Sequence, residues 1–167
     1  WNSSCNGCTD PNASNYDSTA IFDDGSCIYA IAPLFFSEHA DGDGFNRYFE
    51  IFNPTSDTVI LDDYAWARVG GNPTTVGVYE TWNDFTPGAV ILPNDIYIVA
   101  HSNSDAFIIN QADMTSQLLS NGDDGLALVH GDEPLTPTHP DSGLYTILDW
   151  IGDWNGDPGT GWDVAGI

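Results

Sequence analysis

Six oxygen-bearing side chains, Asp10, Asn12, Asn15, Asp17, Asp23 and Asp24, fall inside the stretch CTDPNASNYDSTAIFDDGSC, which Cys8 opens and Cys27 closes. Calcium takes six to eight oxygens at about 2.3–2.6 Å, and a turn-rich loop adds backbone carbonyls to what carboxylates and amides supply. The Asp-x-Asn spacing and the Asp23-Asp24-Gly25 turn suit a loop wrapped on a cation, which would relieve the repulsion between carboxylates. The candidate cofactor is therefore Ca2+, held by those six residues. The competing reading is that the same side chains close Asx turns on their own backbone and bind nothing. The stretch has few large apolar residues, so burial cannot hold it; a disulfide, a bound cation or both must.

Other constellations are weaker. Cys5, Cys8, Cys27 and His39 would make a Cys₃His zinc set, but the second ligand pair lacks the usual close spacing. A redox-active Cys5-x-x-Cys8 has no thioredoxin-like βαβ context after it. In His39–Glu50 (HADGDGFNRYFE), Asp41, Asp43, Gly44 and Glu50 fall where positions 3, 5, 6 and 12 of an EF-hand would be. Its first position is His and no helices flank it, so it reads as a tight hairpin turn with Arg47 and Glu50 in structural roles. Histidines 39, 101, 130 and 139 form no metalloprotease motif, and there is no nucleophile elbow and no phosphate-binding glycine loop. Nothing selects a catalytic pair among the many acids, so no enzymatic activity is expected. Trp82, Trp150, Trp154 and Trp162 could build a sugar-stacking face, although buried core aromatics are the competing account. Asn2 and Asn12 begin N-x-S sequons and are the candidate glycan acceptors. Glu133–Pro140 (EPLTPTHP) reads as a rigid, polyproline-like surface loop, with O-glycosylation the alternative.

Charge narrows the partners. Among 167 residues, 25 Asp and Glu face only Arg47 and Arg68, and there is no lysine, for a formal charge of −23. Such a chain is repelled by phosphate backbones and by anionic membrane surfaces, which argues against both as partners. Divalent cations, a saline environment or a basic partner fit better. With 41% hydrophobic residues the chain can bury a core. No run approaches the roughly 18 apolar residues of a membrane span. A chain that begins at Trp1 is expected to be a processed product or an excised fragment.

These groups need elements to carry them. Cysteines occur only at 5, 8 and 27, and the texture changes near residue 30. Two parts are therefore expected, a cysteine-bracketed acidic segment over 1–30 and a main domain over 31–167. The second part breaks into apolar runs of strand length: Leu34–Ser37, Tyr48–Phe52, Thr58–Leu61, Tyr64–Val69, Val76–Thr81, Ala89–Leu92, Ile96–His101, Gly125–His130 and Tyr145–Ile151. Tyr48–Phe52 and Ile96–Ala100 are apolar on both faces, as central strands are. One helix is expected over Asp105–Ala112, with Ser104 as N-cap. Many short strands and one short helix read as an all-β sandwich.

Two stretches carry a family resemblance. Gly7–Cys27 resembles a short cysteine motif of large secreted and surface proteins, with a fixed GCTD start, an Asn15-Tyr16 pair and an Asp23-Asp24-Gly25-Ser26-Cys27 end. Where that motif often has a cysteine before the Asn-Tyr pair, this chain has Ser14, which leaves Cys5 and Cys8 competing for Cys27. A Cys8–Cys27 bridge would close a loop worth about 3 kcal/mol on the chain-entropy model. Cys5 would then pair outside this chain or stay free.

Leu34–Ile167 is similar to lamin-tail domains of the bacterial and algal extracellular type. The matching residues are Phe36-Ser37-Glu38, Asn46–Asn53, Leu61-Asp62-Asp63-Tyr64, Ile96–Ala100, Ser120–Gly125, Leu148–Gly152 and Asp157–Gly166. The resemblance implies an immunoglobulin-like β-sandwich acting as a non-catalytic accessory module of secreted or surface proteins. Such domains usually continue past the Trp162–Gly166 stretch into a last strand, whereas this chain stops at Ile167. That strand is expected to be missing, or supplied by a neighbouring domain or another copy. The implied setting is secreted or extracellular: a cell-surface or filament-forming protein, with glycans as further candidate partners. The alternative is a carbohydrate- or ligand-binding accessory domain of a secreted enzyme.

Overall fold

The computed structural model describes residues 6–153 except 12, 29, 71–72 and 120–123. Cys5, Asn2, Asn12, Trp154, Trp162 and the Trp162–Gly166 stretch therefore lie outside the described residues, as does the place of the expected last strand. The chain divides into two compact units, Trp1–Ala32 and Pro33–Ile167. The second unit thus begins at Pro33, close to the change in texture near residue 30.

The first unit is nearly without regular structure. Two-residue strands β1 (Asn6–Gly7) and β2 (Phe22–Asp23) pair in parallel, and a single bridge joins Cys8 to Tyr16. Of its described residues only Cys8 and Ala13 are buried apolar ones.

The second unit is an all-β sandwich. Its strands are β3 (Phe35–Asp41), β4 (Arg47–Phe52), β5 (Val59–Ile60), β6 (Tyr64–Val69), β7 (Thr81–Asp84), β8 (Val90–Ile91), β9 (Ile96–His101), β10 (Met114–Ser116), β11 (Gly125–Gly131) and β12 (Tyr145–Ile151). One four-stranded sheet has the order β10-β9-β4-β3, the other β12-β11-β6-β7, and β5 pairs with β8. Tyr48–Phe52 and Ile96–His101 are central, as their sequences require. Phe49, Ile51, Tyr97 and Val99 point inward and are buried, while Tyr48, Glu50 and Phe52 on the other face are half-buried.

Edge-to-face ring contacts run through the interior from Phe36 to Phe49 (5.3 Å) and on to Trp66 (5.4 Å) across the two sheets. The Phe85–Tyr97 pair (5.5 Å) adds a second such crossing. Such geometry sets the positive edge of one ring against the negative face of the next. Where β3 and β12 approach, the Asp149 carboxylate accepts the Phe36 N–H (2.9 Å). Each strand carries a bulge there, at Ser37 and at Leu148, the residues skipped in the two registers. Bulges and a capping carboxylate blunt what would otherwise be open edges.

Two expectations need correction. Val76–Thr81 is not a strand; the ladder begins at Thr81 and runs to Asp84. The reason is packing on the outer face of β6: Ala65, Ala67 and Val69, with Ala127 and Val129 of β11, form a second apolar layer. Tyr79 and Tyr145 cover it. The segment before β7 thus serves as a lid.

The helix is also shorter than expected, α1 (Ala106–Ile109), and Ser104 does not cap it. The Ser104 hydroxyl instead donates to the Phe45 carbonyl (2.7 Å). Asn46 meets the helix start reciprocally, accepting the Asp105 N–H (2.8 Å) and donating to the Asp105 carboxylate (2.9 Å). After α1 the chain returns as β10, in parallel with β9, with Asp113 bonded through both its backbone N–H and its carboxylate to Ile98.

Candidate functional site

The cysteine-bracketed segment is closed by a Cys8–Cys27 disulfide, with the two Cα atoms 4.7 Å apart. This removes the Cys₃His zinc alternative, because two of its ligands are oxidised and have no thiolate to offer. The bridge accounts for what burial cannot, since closing this loop restricts the unfolded chain by about 3 kcal/mol.

Local hydrogen bonds do the rest. The Asp17 carboxylate accepts from the Thr19 hydroxyl (2.7 Å) and the Thr19 N–H (2.8 Å), and these bonds, hydroxyl first, lower its pKa. Asp23 accepts the Gly25 N–H (2.9 Å) and Asp24 the Ser26 N–H (3.0 Å); bonding to Ser26 lowers the Asp24 pKa. Gly25 is needed there because its φ is +76°. Asn15 has the longer reach: it donates to the Ser26 carbonyl and accepts the Ile28 N–H (2.7 Å), tying the middle of the loop to its closing end. Ser14 adds its N–H (2.7 Å) and hydroxyl (2.9 Å) to the Ile28 carbonyl.

Of the six oxygen-bearing residues, then, Asp17, Asp23 and Asp24 sit in Asx turns, Asn15 is a cross-loop tie and Asn12 is not described. The Asp10 carbonyl accepts the Ala13 N–H (3.1 Å). Among the described residues no three His, Cys, Asp or Glu side chains gather into a group able to hold a metal ion.

In the sandwich, the EF-hand-like stretch is the β3–β4 hairpin. Gly42 and Asn46 close it by backbone bonding (2.8 Å), and Gly44 turns at φ +70°. Arg47 pairs with Asp41 across the hairpin (2.6 Å), and Glu50 accepts from the Ser37 hydroxyl (2.6 Å). The structural roles expected for Arg47 and Glu50 are thus separate ones.

Three of the four histidines sit in packing positions, and His139 is exposed. His101 is buried, stacks on Phe45 (4.7 Å between centroids) and accepts the Asn103 N–H at Nδ1 (3.1 Å). Burial, and then the Arg47 charge, lower its pKa. His39 is half-buried in β3 and is likewise lowered by burial, with Asp41 opposing. His130 lies edge-on to Tyr64 (4.9 Å).

Two of the four singled-out tryptophans are described. Trp82 and Trp150 stand at the two ends of one cross-strand row, Trp82–Ala67–Ala127–Trp150, on the outer face of the β12-β11-β6-β7 sheet. Trp82 packs on Tyr79 and Tyr145 (5.3 Å each) and donates its indole N–H to Asp84 (2.9 Å). Trp150 is 61% exposed. Sequence reasoning missed the cover over this face, Tyr79 and Tyr145. Their hydroxyls donate to the carbonyls of Pro134 (3.5 Å) and Thr138 (2.9 Å). The apolar residues before β7 were a usable signal, but they read equally well as a strand.

No helix among the described residues is long and apolar enough to cross a membrane. That and the disulfide are compatible with an extracellular location. The sequence matches no protein-family model and no curated protein.

Proposed function

We propose that the chain is a non-catalytic structural and interaction module of a larger secreted or cell-surface protein, in which the clasped segment links a β-sandwich to its neighbour. The observation that carries this reading is the Cys8–Cys27 disulfide holding a segment with almost no apolar core. Such a clasp persists where thiols are oxidised and is lost where they are kept reduced. The lamin-tail resemblance of residues 34–167 supports the same assignment, an immunoglobulin-like accessory domain.

Assembly proceeds by strand addition. Among the described residues β7 pairs only with β6, so its outer side offers a template for a strand from a neighbouring domain or copy. Calcium enters as a counter-ion for a chain of charge −23, whose copies otherwise repel.

Native mass spectrometry with and without chelator and alkylating agent, joined to sedimentation velocity, tests the proposal. One alkylatable thiol, bound calcium and concentration-dependent association are expected. Three alkylatable thiols in material from an oxidising compartment would sink the clasp. A monomer at every concentration, with and without calcium, would sink strand addition.

The carbohydrate-binding reading has one observation in its favour, the exposed indole of Trp150, since aromatic faces stack on sugars. A glycan array comparing the parent chain with Trp150→Ala decides it: a signal lost with the indole supports that reading, and silence from both removes it.

A further inference from the structure

The loop between β11 and β12 is tied to the aromatic cover of the β6–β11 face. The buried tyrosines Tyr79 and Tyr145 pin it at two carbonyls, those of Pro134 and Thr138. Pro134 is itself buried, and Pro137 fixes a further backbone angle between the pins. The side chain left outside is Leu135, 106% exposed, and Leu144 is 59% exposed. Both line an open cleft of about 530 Å³ together with Pro134, Asp132 and Glu133.

The two pins restrain the backbone that carries this leucine, which lowers the conformational cost of an association made through it.

Charge selects the partner. Arg47 is engaged with Asp41 and Arg68 with Asp124 (2.9 Å), and there is no lysine. Neither arginine is paired with Asp132 or Glu133, so lysine or arginine from another molecule would complement them. A second copy, itself at −23, cannot supply them without bringing many more acids.

We propose that this cleft docks a basic polypeptide segment. In that segment an apolar side chain seats against Leu135 and Leu144, and flanking Lys or Arg residues meet Asp132 and Glu133.

The test is fluorescence anisotropy with the full chain at near-physiological salt. The probes are three short labelled peptides of equal length, alternating Lys-Leu, Lys-Ser and Gln-Leu. The Lys-Leu peptide is expected to bind best. Leu135→Ser should weaken it about tenfold, as loss of a central apolar anchor does. The melting temperature should stay unchanged, because that side chain is in solvent. Ile60→Ser, at another exposed apolar position (59%), should leave binding unchanged. An Asp132→Asn, Glu133→Gln double variant should weaken binding and flatten its salt dependence.

Tyr145→Phe removes one pin and keeps Leu135; it should weaken binding and speed proteolysis within residues 132–138. Equal binding of the Lys-Ser and Lys-Leu peptides would overturn the proposal, reducing it to diffuse charge attraction. So would equal effects of Leu135→Ser and Ile60→Ser, or a Gln-Leu peptide that binds as well as Lys-Leu.

Discussion

Replacing Asn53 by aspartate changes almost no volume and removes two hydrogen-bond donors from a buried side chain that bonds to several segments of the sandwich. Asn53 is fully buried where β4 ends. Its amide nitrogen donates to the carbonyls of Asp57 (2.8 Å), Ile91 (3.1 Å) and Leu92 (3.1 Å). Its oxygen accepts from the Thr55 N–H (3.0 Å) and hydroxyl (2.7 Å). It thereby fastens the turn after β4 to β8 and to the turn that begins β9.

In Asn53→Asp the acceptor side survives, but a carboxylate oxygen now faces three carbonyl oxygens. The Asp57 carbonyl keeps the Thr55 hydroxyl (3.0 Å) and the Leu92 carbonyl keeps the Asp95 N–H (3.2 Å), so the lost donors fall mainly on Ile91. A buried acceptor deprived of its donor predicts a loss of about 1–3 kcal/mol, to which the buried carboxylate adds. The new carboxyl group has its folded pKa raised, by burial and by the facing carbonyls. Its unfolded value is about 3.9. A raised folded pKa means the folded state holds the proton longer. The variant is therefore least destabilised below about pH 4, and its deficit grows as pH rises above that.

Urea unfolding followed by tryptophan fluorescence at pH 4 and pH 7 measures both effects. Asn53→Leu, which has neither donors nor charge, should be destabilised at both pH values by a similar amount. If Asn53→Asp lies within about 1 kcal/mol of the parent at pH 7, or its deficit does not grow between the two pH values, the network does not act as described.

Other perturbations follow from the same structure. Cys8→Ser should remove about 3 kcal/mol of loop-closure stabilisation from the first unit; hydrogen exchange should rise through residues 8–27 and stay unchanged in β4, β6, β9 and β11. Burial, and then Tyr79, push the Tyr145 pKa up to about 12. The folded state then keeps a proton that the unfolded state gives up near pH 10. Stability should fall as pH rises from about 10 to 12, and Tyr145→Phe should lessen that fall in alkaline unfolding curves. The lowered pKa of His101 has the opposite sense. Stability is lost as pH falls below the unfolded value near 6.5, because protonation takes the Nδ1 lone pair that accepts the Asn103 N–H; an NMR titration of the ring should show its late protonation. Finally, the buried Trp66 indole nitrogen has no hydrogen-bond partner among the described residues. Trp66→Phe should cost well under the roughly 3–5 kcal/mol of Trp66→Ala, because it removes that unpaired donor while keeping most of the ring packing.

What the sequence disclosed depended on whether a residue's role was local. β4, β6, β9, β11 and β12 could be read within a residue or two because apolar runs between Gly, Pro, Asn and Asp breakers determine a strand almost by themselves. β10 was invisible, since Met-Thr-Ser carries no pattern and its pairing rests on Asp113 reaching back to Ile98. Val76–Thr81 misled because an apolar segment that covers a sheet and one that joins it have the same composition. The Asx turns at Asp17, Asp23 and Asp24 were legible as one of two readings, each needing only a residue two positions away. Asn15 was not, because its partners at Ser26 and Ile28 are chosen by how the whole loop closes. Ser104 looked like a helix cap until the β3–β4 hairpin claimed its hydroxyl.

The Cys8–Cys27 clasp has a consequence for the integrity of the chain. The described residues between the two cysteines are largely exposed and have little regular structure, the kind of backbone that proteases cut first. Yet hydrolysis of any peptide bond between them would not part the molecule. Whatever precedes Cys8 would stay joined to whatever follows Cys27 through the two sulfurs. Separation would require a second event of different chemistry, reduction of the bridge. In surroundings rich in proteases and poor in reductants, the joint would outlast its own peptide backbone.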